Sequence, residues 1–307
     1  MATEREIPEA FKDFMEEIRG TEGREWIAKL SALIDDLERR WSLRVAAPFP
    51  NLSYNYVAPA TREDGSPAVL KTGVFHTELI RESEMLLACD GRGICRVLEV
   101  DRDRGAFLMD RLLPGEMLST VKEDERAVAI AAEVIRNLHR PAPEPPHGFP
   151  GLHEWTVDMR LHRQRHGGSG PLPTAIFERA EALFRELIPS QGPAVLLHGD
   201  LHHFNILSSD GESWLAIDPK GIVGEPEYEI GAFLRNETPK EIGIEELRRF
   251  TLRRIDQFAE ILGFDRERLR GWCVADAVLS AVWSAEDGGT GWEDAIRLAE
   301  SVGSSAG

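Results

Sequence analysis

The sequence predicts an α+β fold in two lobes: a strand-rich N-terminal lobe with a helical N-terminal extension, and a mostly helical C-terminal lobe. Three observations predict it. Apolar residues recur at helical spacing before Trp41, fall into short strand-like runs from about Leu43 to Asp110, and return to helical spacing after Leu113-Pro114-Gly115. Inside the second helical region, short apolar runs flank a polar stretch, His198 to Asn205, and suggest an embedded hairpin. The chain has 307 residues, enough for two buried cores. The expected division is residues 1–110 and 111–307.

The elements follow in order. From Pro8 to Trp41, Phe11, Phe14, Met15 and Ile18, then Trp26, Leu30, Leu33, Ile34 and Leu37, mark helices. Candidate strands are Tyr54 to Ala58, Ala68 to Thr72, Cys95 to Val100 and Ala106 to Met109. Glu63-Asp64-Gly65-Ser66 supplies a hairpin turn between the first two. His76 to Cys89 reads as one helix between strands. Val128, Ala131, Val134, Ile135 and Leu138 give a helix over Glu123 to Arg140 an apolar face, and Pro141-Ala-Pro-Glu-Pro-Pro ends it. Gly167-Gly-Ser-Gly-Pro precedes a helix at Ala175 to Leu187. Further helices are expected at Ile244 to Leu262, Asp265 to Trp283 and Trp292 to Val302, with a frayed tail beyond Gly303.

Composition narrows the function classes. Hydrophobic residues make up 42% and charged residues 29%, as in a soluble globular protein. A net charge of −17 repels nucleic acid and anionic membrane and attracts cationic ligands. Cys89, Cys95 and Cys273 form no CxxC and suit a reducing compartment. The N-terminus has no apolar signal core, and no apolar run approaches the ~20 residues of a membrane span. A cytoplasmic protein is expected.

The chemistry lies in His198-Gly-Asp-Leu-His-His-Phe-Asn205-Ile-Leu207 and Trp214-Leu-Ala-Ile-Asp218-Pro-Lys-Gly221. Phosphoryl transfer needs positioning and charge neutralisation more than covalent help. Asp200 is the candidate catalytic base for a substrate hydroxyl. Asn205 offers a neutral oxygen and Asp218 an anionic one, a donor set suited to Mg2+ alongside phosphate and water. Strands on either side would present Asn205 and Asp218 from neighbouring rungs. Pro219 moves Asp218 away from helical geometry.

These motifs resemble the aminoglycoside/hydroxyurea phosphotransferase family of the protein-kinase-like superfamily, in its streptomycin 6-phosphotransferase-like branch. The resemblance rests on HGDLHHFNIL, on WLAIDPKGIVGEPEYEIG with the following AFLRN, and on AVLK and LMDRLLPG in the N-terminal lobe. It spans roughly residues 40 to 300. It implies a two-lobed kinase-like fold with a nucleotide-binding N-lobe and a catalytic, substrate-binding C-lobe. It also implies use of ATP and Mg2+ and a small hydroxylated acceptor, with streptomycin the leading substrate. Hydroxyurea or a housekeeping metabolite is the alternative acceptor. By position, Lys71 contacts nucleotide phosphates and Glu82 pairs with it, Glu84 being the rival. Met109 is the gatekeeper, and Asp110 and Leu112 bond the adenine ring. Ser53 cradles phosphate in place of a glycine-rich loop, and Lys220 contacts a phosphate or a substrate oxygen. For a cationic aminoglycoside, Glu227, Glu229, Glu237, Glu286 and Asp287 are the candidate receiving acids.

Other readings are weaker. A protein kinase would carry Arg at Gly199 and an APE segment after Asp218. A non-catalytic pseudokinase would lack one of Asp200, Asn205 or Asp218. Zinc chemistry is disfavoured because His202 and His203 point to opposite sides of an extended chain. The helical pair His162 and His166 sits among Arg160, Arg163 and Arg165, which would repel a cation.

Overall fold

A computed structural model describes residues 6–74, 77–145, 147–211, 213–289 and 291–303. The chain divides into two compact units, Met1–Gly115 and Glu116–Gly307. The fold is α+β, with an antiparallel sheet in the first unit and a largely helical second unit.

The first unit is built on strands β1 (Leu43–Val45), β2 (Tyr56–Arg62), β3 (Pro67–Thr72), β4 (Val97–Asp101) and β5 (Ala106–Asp110), in the order β1-β2-β3-β5-β4. Helix α1 (Glu9–Trp41) precedes the sheet and is kinked at Gly20, whose φ of 56° leaves the helical region. Its Phe11, Met15, Leu30, Ile34 and Leu37 pack with Tyr56, Ala58, Ala60, Leu70 and Leu108 of the sheet. This apolar stripe supplies the core of the unit. The β2–β3 turn is closed by Asp64, whose Oδ1 accepts from both the Ser66 amide and hydroxyl, with Gly65 at φ +81°. Helix α2 (Thr77–Cys89) follows β3. The expected start of this helix at His76 lies outside the described residues, as does the tail beyond Gly303.

Two strands begin later than expected. Tyr54 lies with Asn55 in a bend before β2, its exposed ring edge-on against Phe14. Before Val97 the chain turns at Asp90–Gly91 and makes a bridge at Ile94, and Cys95 and Arg96 lie outside the strand.

In the second unit, α3 (Asp124–Leu138), α4 (Leu152–Trp155), α5 (Val157–His166) and α6 (Thr174–Leu187) precede two short ladders. Strand β6 (Val195–Leu197) pairs with β9 (Ile222–Gly224), and β7 (Ile206–Ser208) with β8 (Trp214–Ala216). Helices α7 (Gly231–Arg235), α8 (Ile244–Leu262), α9 (Arg266–Glu286) and α10 (Trp292–Gly303) complete it. Helix α9 is the axis of this unit: it contacts α5, α6, α7, α8 and α10 and buries Trp272 completely. Asp265 caps it by accepting from the Arg268 amide, and Gly263 at φ +73° ends α8 just before.

The sequence patterning did not foresee β1, α4, α5, α7 and β9. Only Met159 and His162 of α5 are buried, so it has no apolar stripe to read. Strand β9 holds only two apolar residues, Ile222 and Val223, set between Gly221 and Gly224, so it presents no apolar run. Among the described residues, no helix is long and apolar enough to cross a membrane.

Candidate active site

The β6 ladder and the β7–β8 hairpin hold the polar loop between them. His198 anchors it. Its ring is buried, with Nε2 2.8 Å from the Ile217 carbonyl oxygen, so Nε2 carries the proton and donates. Nδ1 then accepts from the Asp200 amide at 3.2 Å. A neutral ring satisfies both bonds. Burial keeps it neutral: desolvation lowers the His198 pKa against the pull of nearby Glu229, Asp200 and Asp218.

Glu229 clamps the same loop from the 3-10 turn Pro226–Ile230. Its Oε2 accepts from the His198 amide at 2.7 Å and lies 3.1 Å from His139 Nε2, while Oε1 accepts from the Gly199 amide at 2.9 Å. Burial would raise this carboxyl, but the His139 contact and charge and the Gly199 amide outweigh it and hold the pKa below its ordinary value. Gly199 sits at φ +81°, and a Cβ there would come within 3.3 Å of both Ile222 and Lys220 side chains. The turn therefore suits glycine, where a protein kinase has arginine.

Asp200 follows at once. Its carboxylate, 26% exposed, meets Arg235 Nη2 at 3.2 Å and lies 3.8 Å from His202 Nε2. Desolvation pushes its pKa up, yet Arg235 first, then His202 and Lys220, pull it below the ordinary carboxylate range. Asp200 is thus an anion at neutral pH.

Arg235 is itself held. Its Nε donates to Asp276 Oδ2 at 3.0 Å, and Asp276 Oδ1 accepts from the Tyr228 hydroxyl at 3.3 Å. Trp155 Nε1 donates to that hydroxyl at 3.0 Å. Burial works against the Arg235 charge, but the Asp276 and Asp200 carboxylates outweigh it and raise its pKa further. Burial also pushes the Asp276 carboxyl and the Tyr228 phenol up. The close approach of α7 to α9 depends on Gly231: a Cβ there would lie 2.7 Å from Asp276 Cγ.

The candidate metal residues sit on adjoining rungs. Ile206 pairs with Ala216 across the hairpin, and the next rung joins the Ile217 amide to the Asn205 carbonyl at 2.9 Å. Asn205 Nδ2 donates to the Asp200 carbonyl at 3.0 Å, which commits the amide nitrogen and leaves Oδ1 as the atom that could face a cation. Asp218 adopts a left-handed φ of 58°. Lys220 is half-buried, with its amide on the His198 carbonyl at 2.8 Å. A neutral amide oxygen and a carboxylate fit magnesium. His203 takes another path. It is buried and stacked on Phe233 at 3.9 Å, and desolvation, with Arg254 nearby, drives its pKa down to about 3. It is a packing group.

In the first unit, Lys71 Nζ lies 2.7 Å from Glu82 Oε1, both side chains buried. Glu84 is instead 3.8 Å from Arg102. Met109 is buried and touches Cys95, Sγ to Sδ 3.7 Å. Asp110 ends β5, with its amide on the Arg96 carbonyl and its carboxylate 3.1 Å from Arg96 Nε. Leu112 is half-buried just beyond, and Ser53 is exposed in the loop before β2.

Sequence reasoning named neither Arg235 nor Asp276, and it took Glu229 as a substrate-facing acid. Glu229 is a buried clamp, and Glu286 is engaged by His162, His166 and Arg165. The one available signal was an Arg, Arg235, within the AFLRN segment that follows the metal loop.

Comparison with known proteins adds the family. The aminoglycoside/hydroxyurea antibiotic resistance kinase family matches residues 40–288. Streptomycin 6-kinase of Streptomyces glaucescens is 30% identical over 301 residues, 97% of each chain. Hydroxyurea phosphotransferase of Kitasatospora aureofaciens is 33% identical, over 92% of this chain and 81% of the other. Among solved structures, a thermostable mutant of aminoglycoside phosphotransferase APH(4)-Ia, in a ternary complex with ADP and hygromycin B, aligns with a TM-score of 0.60 at 16% identity. The alignment covers 89% of this chain and 98% of that one.

Proposed function

We propose, since this chain belongs to the aminoglycoside/hydroxyurea antibiotic resistance kinase family, that it transfers the terminal phosphoryl group of ATP to a hydroxyl of streptomycin or a related aminoglycoside. It is a phosphotransferase with an alcohol group as acceptor. The observation that carries the substrate is the similarity to streptomycin 6-kinase along 97% of each chain.

Asp200 accepts the hydrogen bond of the substrate hydroxyl and takes its proton as the new P–O bond forms. The bond to the bridging oxygen breaks, and ADP leaves. Arg235 keeps the Asp200 carboxylate ionised and fixes one of its oxygens. The Glu229 clamp and the His198 ring hold the loop so that Asp200 does not have to be ordered during the reaction. Asn205 Oδ1 and the Asp218 carboxylate hold magnesium. When bound, the ion neutralises charge on the phosphates. Lys71, kept in place by Glu82, contacts phosphate in the first unit. Met109, Asp110 and Leu112 receive the adenine, and Ser53 and Lys220 add phosphate contacts. An ADP complex of a protein with this fold supports the nucleotide reading. The site of action is the cytoplasm, and the net charge of −17 disfavours nucleic acid and anionic membrane as partners.

A second acceptor has its own support. Two of the five acids considered for a cationic drug, Glu229 and Glu286, are engaged internally. A neutral acceptor such as hydroxyurea needs none of them, and a hydroxyurea phosphotransferase is 33% identical. A coupled ATPase assay with magnesium, against streptomycin, hydroxyurea and other aminoglycosides, decides. Streptomycin-dependent turnover with a phosphomonoester seen by phosphorus NMR supports the main reading. Turnover on hydroxyurea alone overturns the drug and keeps the kinase.

A further inference from the structure

Helix α5 ends in two histidines one turn apart, and neither takes part in phosphoryl transfer. His162 and His166 have ring centroids 4.4 Å apart. Both meet one carboxylate oxygen, Glu286 Oε1 from the last residue of α9: His162 Nδ1 at 2.6 Å and His166 Nε2 at 3.1 Å. Among the described residues, this is the one group of three His, Cys, Asp or Glu whose ligand atoms all lie within 4.8 Å of one another.

Hydrogen-bond chemistry separates this cluster from an ordinary polar contact. His162 is buried, and its Nε2 lies 3.0 Å from the Ser169 carbonyl oxygen, which can only accept. Nε2 therefore carries the proton. A neutral ring then points its Nδ1 lone pair at a carboxylate oxygen, which is also an acceptor. Two acceptors that close need a proton or a metal ion between them.

The surroundings favour the metal. Ligating imidazoles donate their other N–H to a carbonyl, and ligating carboxylates are themselves held by an outer partner. Here Ser169 takes the His162 proton, and Arg165 pairs with the second oxygen of Glu286. Gly170, at φ +58°, lies against both rings: a Cβ there would be 2.9 Å from His162 Nε2 and 3.0 Å from His166 Cγ. Two of the three arginines that argued against a cation in the sequence are compensated, and the third, Arg160, is exposed. Arg163 is bidentate to Glu181, with both contacts at 2.6 Å, and Arg165 is 60% exposed and paired with Glu286 itself.

We propose that His162 Nδ1, His166 Nε2 and Glu286 Oε1 bind a divalent transition metal of the zinc type and thereby tie α5 to α9. Two imidazoles at i, i+4 and one carboxylate are a common zinc donor set, with a fourth position left to water. Imidazole donors select zinc or cobalt over magnesium, so this site is chemically distinct from the Asn205–Asp218 pair. Tetrahedral ligands at zinc distances stand roughly 3.3 Å apart, so Glu286 must retreat by a fraction of an ångström. As the last residue of α9, followed by Gly288 and Gly289, it can do so.

The test uses the full chain, freed of metal by chelation and without nucleotide, titrated with Co2+ at neutral pH. The expected result is one equivalent of Co2+ per chain, seen as visible d–d absorption that Zn2+ displaces, and a melting temperature raised by Zn2+. His166→Ala and Glu286→Gln should both lose the absorption while keeping the far-ultraviolet circular dichroism of the parent. Asp218→Asn should keep the absorption. Absence of the cobalt spectrum overturns the site, as does its survival in both variants. A His162 ring that NMR finds doubly protonated and unperturbed by Zn2+ assigns the cluster to an imidazolium–carboxylate pair, and also overturns it.

Discussion

Asp200 owes its chemistry to its neighbours. Burial pushes its carboxyl up, and Arg235 at 3.2 Å reverses that. Asp200→Asn should retain nucleotide binding and lose roughly 10²–10⁴-fold in turnover, the range for general acid–base help; single-turnover kinetics checks both halves. Arg235→Gln tests the electrostatics. The Asp200 pKa is depressed, so the active anion is present above it and is lost as pH falls through it. Without Arg235 the pKa rises, and the acidic limb of kcat/KM should move to higher pH. A limb left in place would assign the base elsewhere. Arg235→Lys, which keeps a charge, should move the limb less. At this scale the spacing of Asp200, Asn205 and Asp218 was legible, since all three lie within 19 residues. Arg235 and Asp276 were not: their contacts span 35 and 41 residues, and no local pattern encodes a partner at that distance.

Glu229 operates on an element, the end of β6. One carboxylate accepts two successive backbone amides and faces His139. Glu229→Gln sets an NH2 group against one of these donors and should destabilise the fold by about 1–3 kcal/mol, the penalty of an unsatisfied buried group. Its kinetic signature should be a lowered kcat with little change in nucleotide KM. Thermal melts and initial rates check the two effects, and an unchanged melt with unchanged kcat would remove the clamp from the account. Elements with an apolar stripe were legible in advance: α3, α6 and α8 begin and end within two residues of the expected positions. Helix α5 was hidden because it buries two side chains, and β9 because it holds only two apolar residues, set between glycines.

At the scale of the molecule, a net charge of −17 surrounds whatever site receives a cationic drug. Such a field attracts a cation at low ionic strength and is screened by salt. The KM for streptomycin should therefore rise with added salt while that for hydroxyurea stays flat; equal salt dependence would detach the charge from recognition. The two-lobed order was legible because the period of the apolar residues changes from helix to strand and back. One missing carbon atom has a consequence of a different kind. Gly231 leaves no room for a methyl group against Asp276, and Asp276 is what steadies Arg235. In a genetic screen for lost phosphotransferase activity, Gly231→Ala should behave like a lesion of the base itself, though it lies on the far side of two intervening side chains. Its kcat/KM profile should shift in the same direction as that of Arg235→Gln. A wild-type profile would show that α7 can yield without passing the strain along.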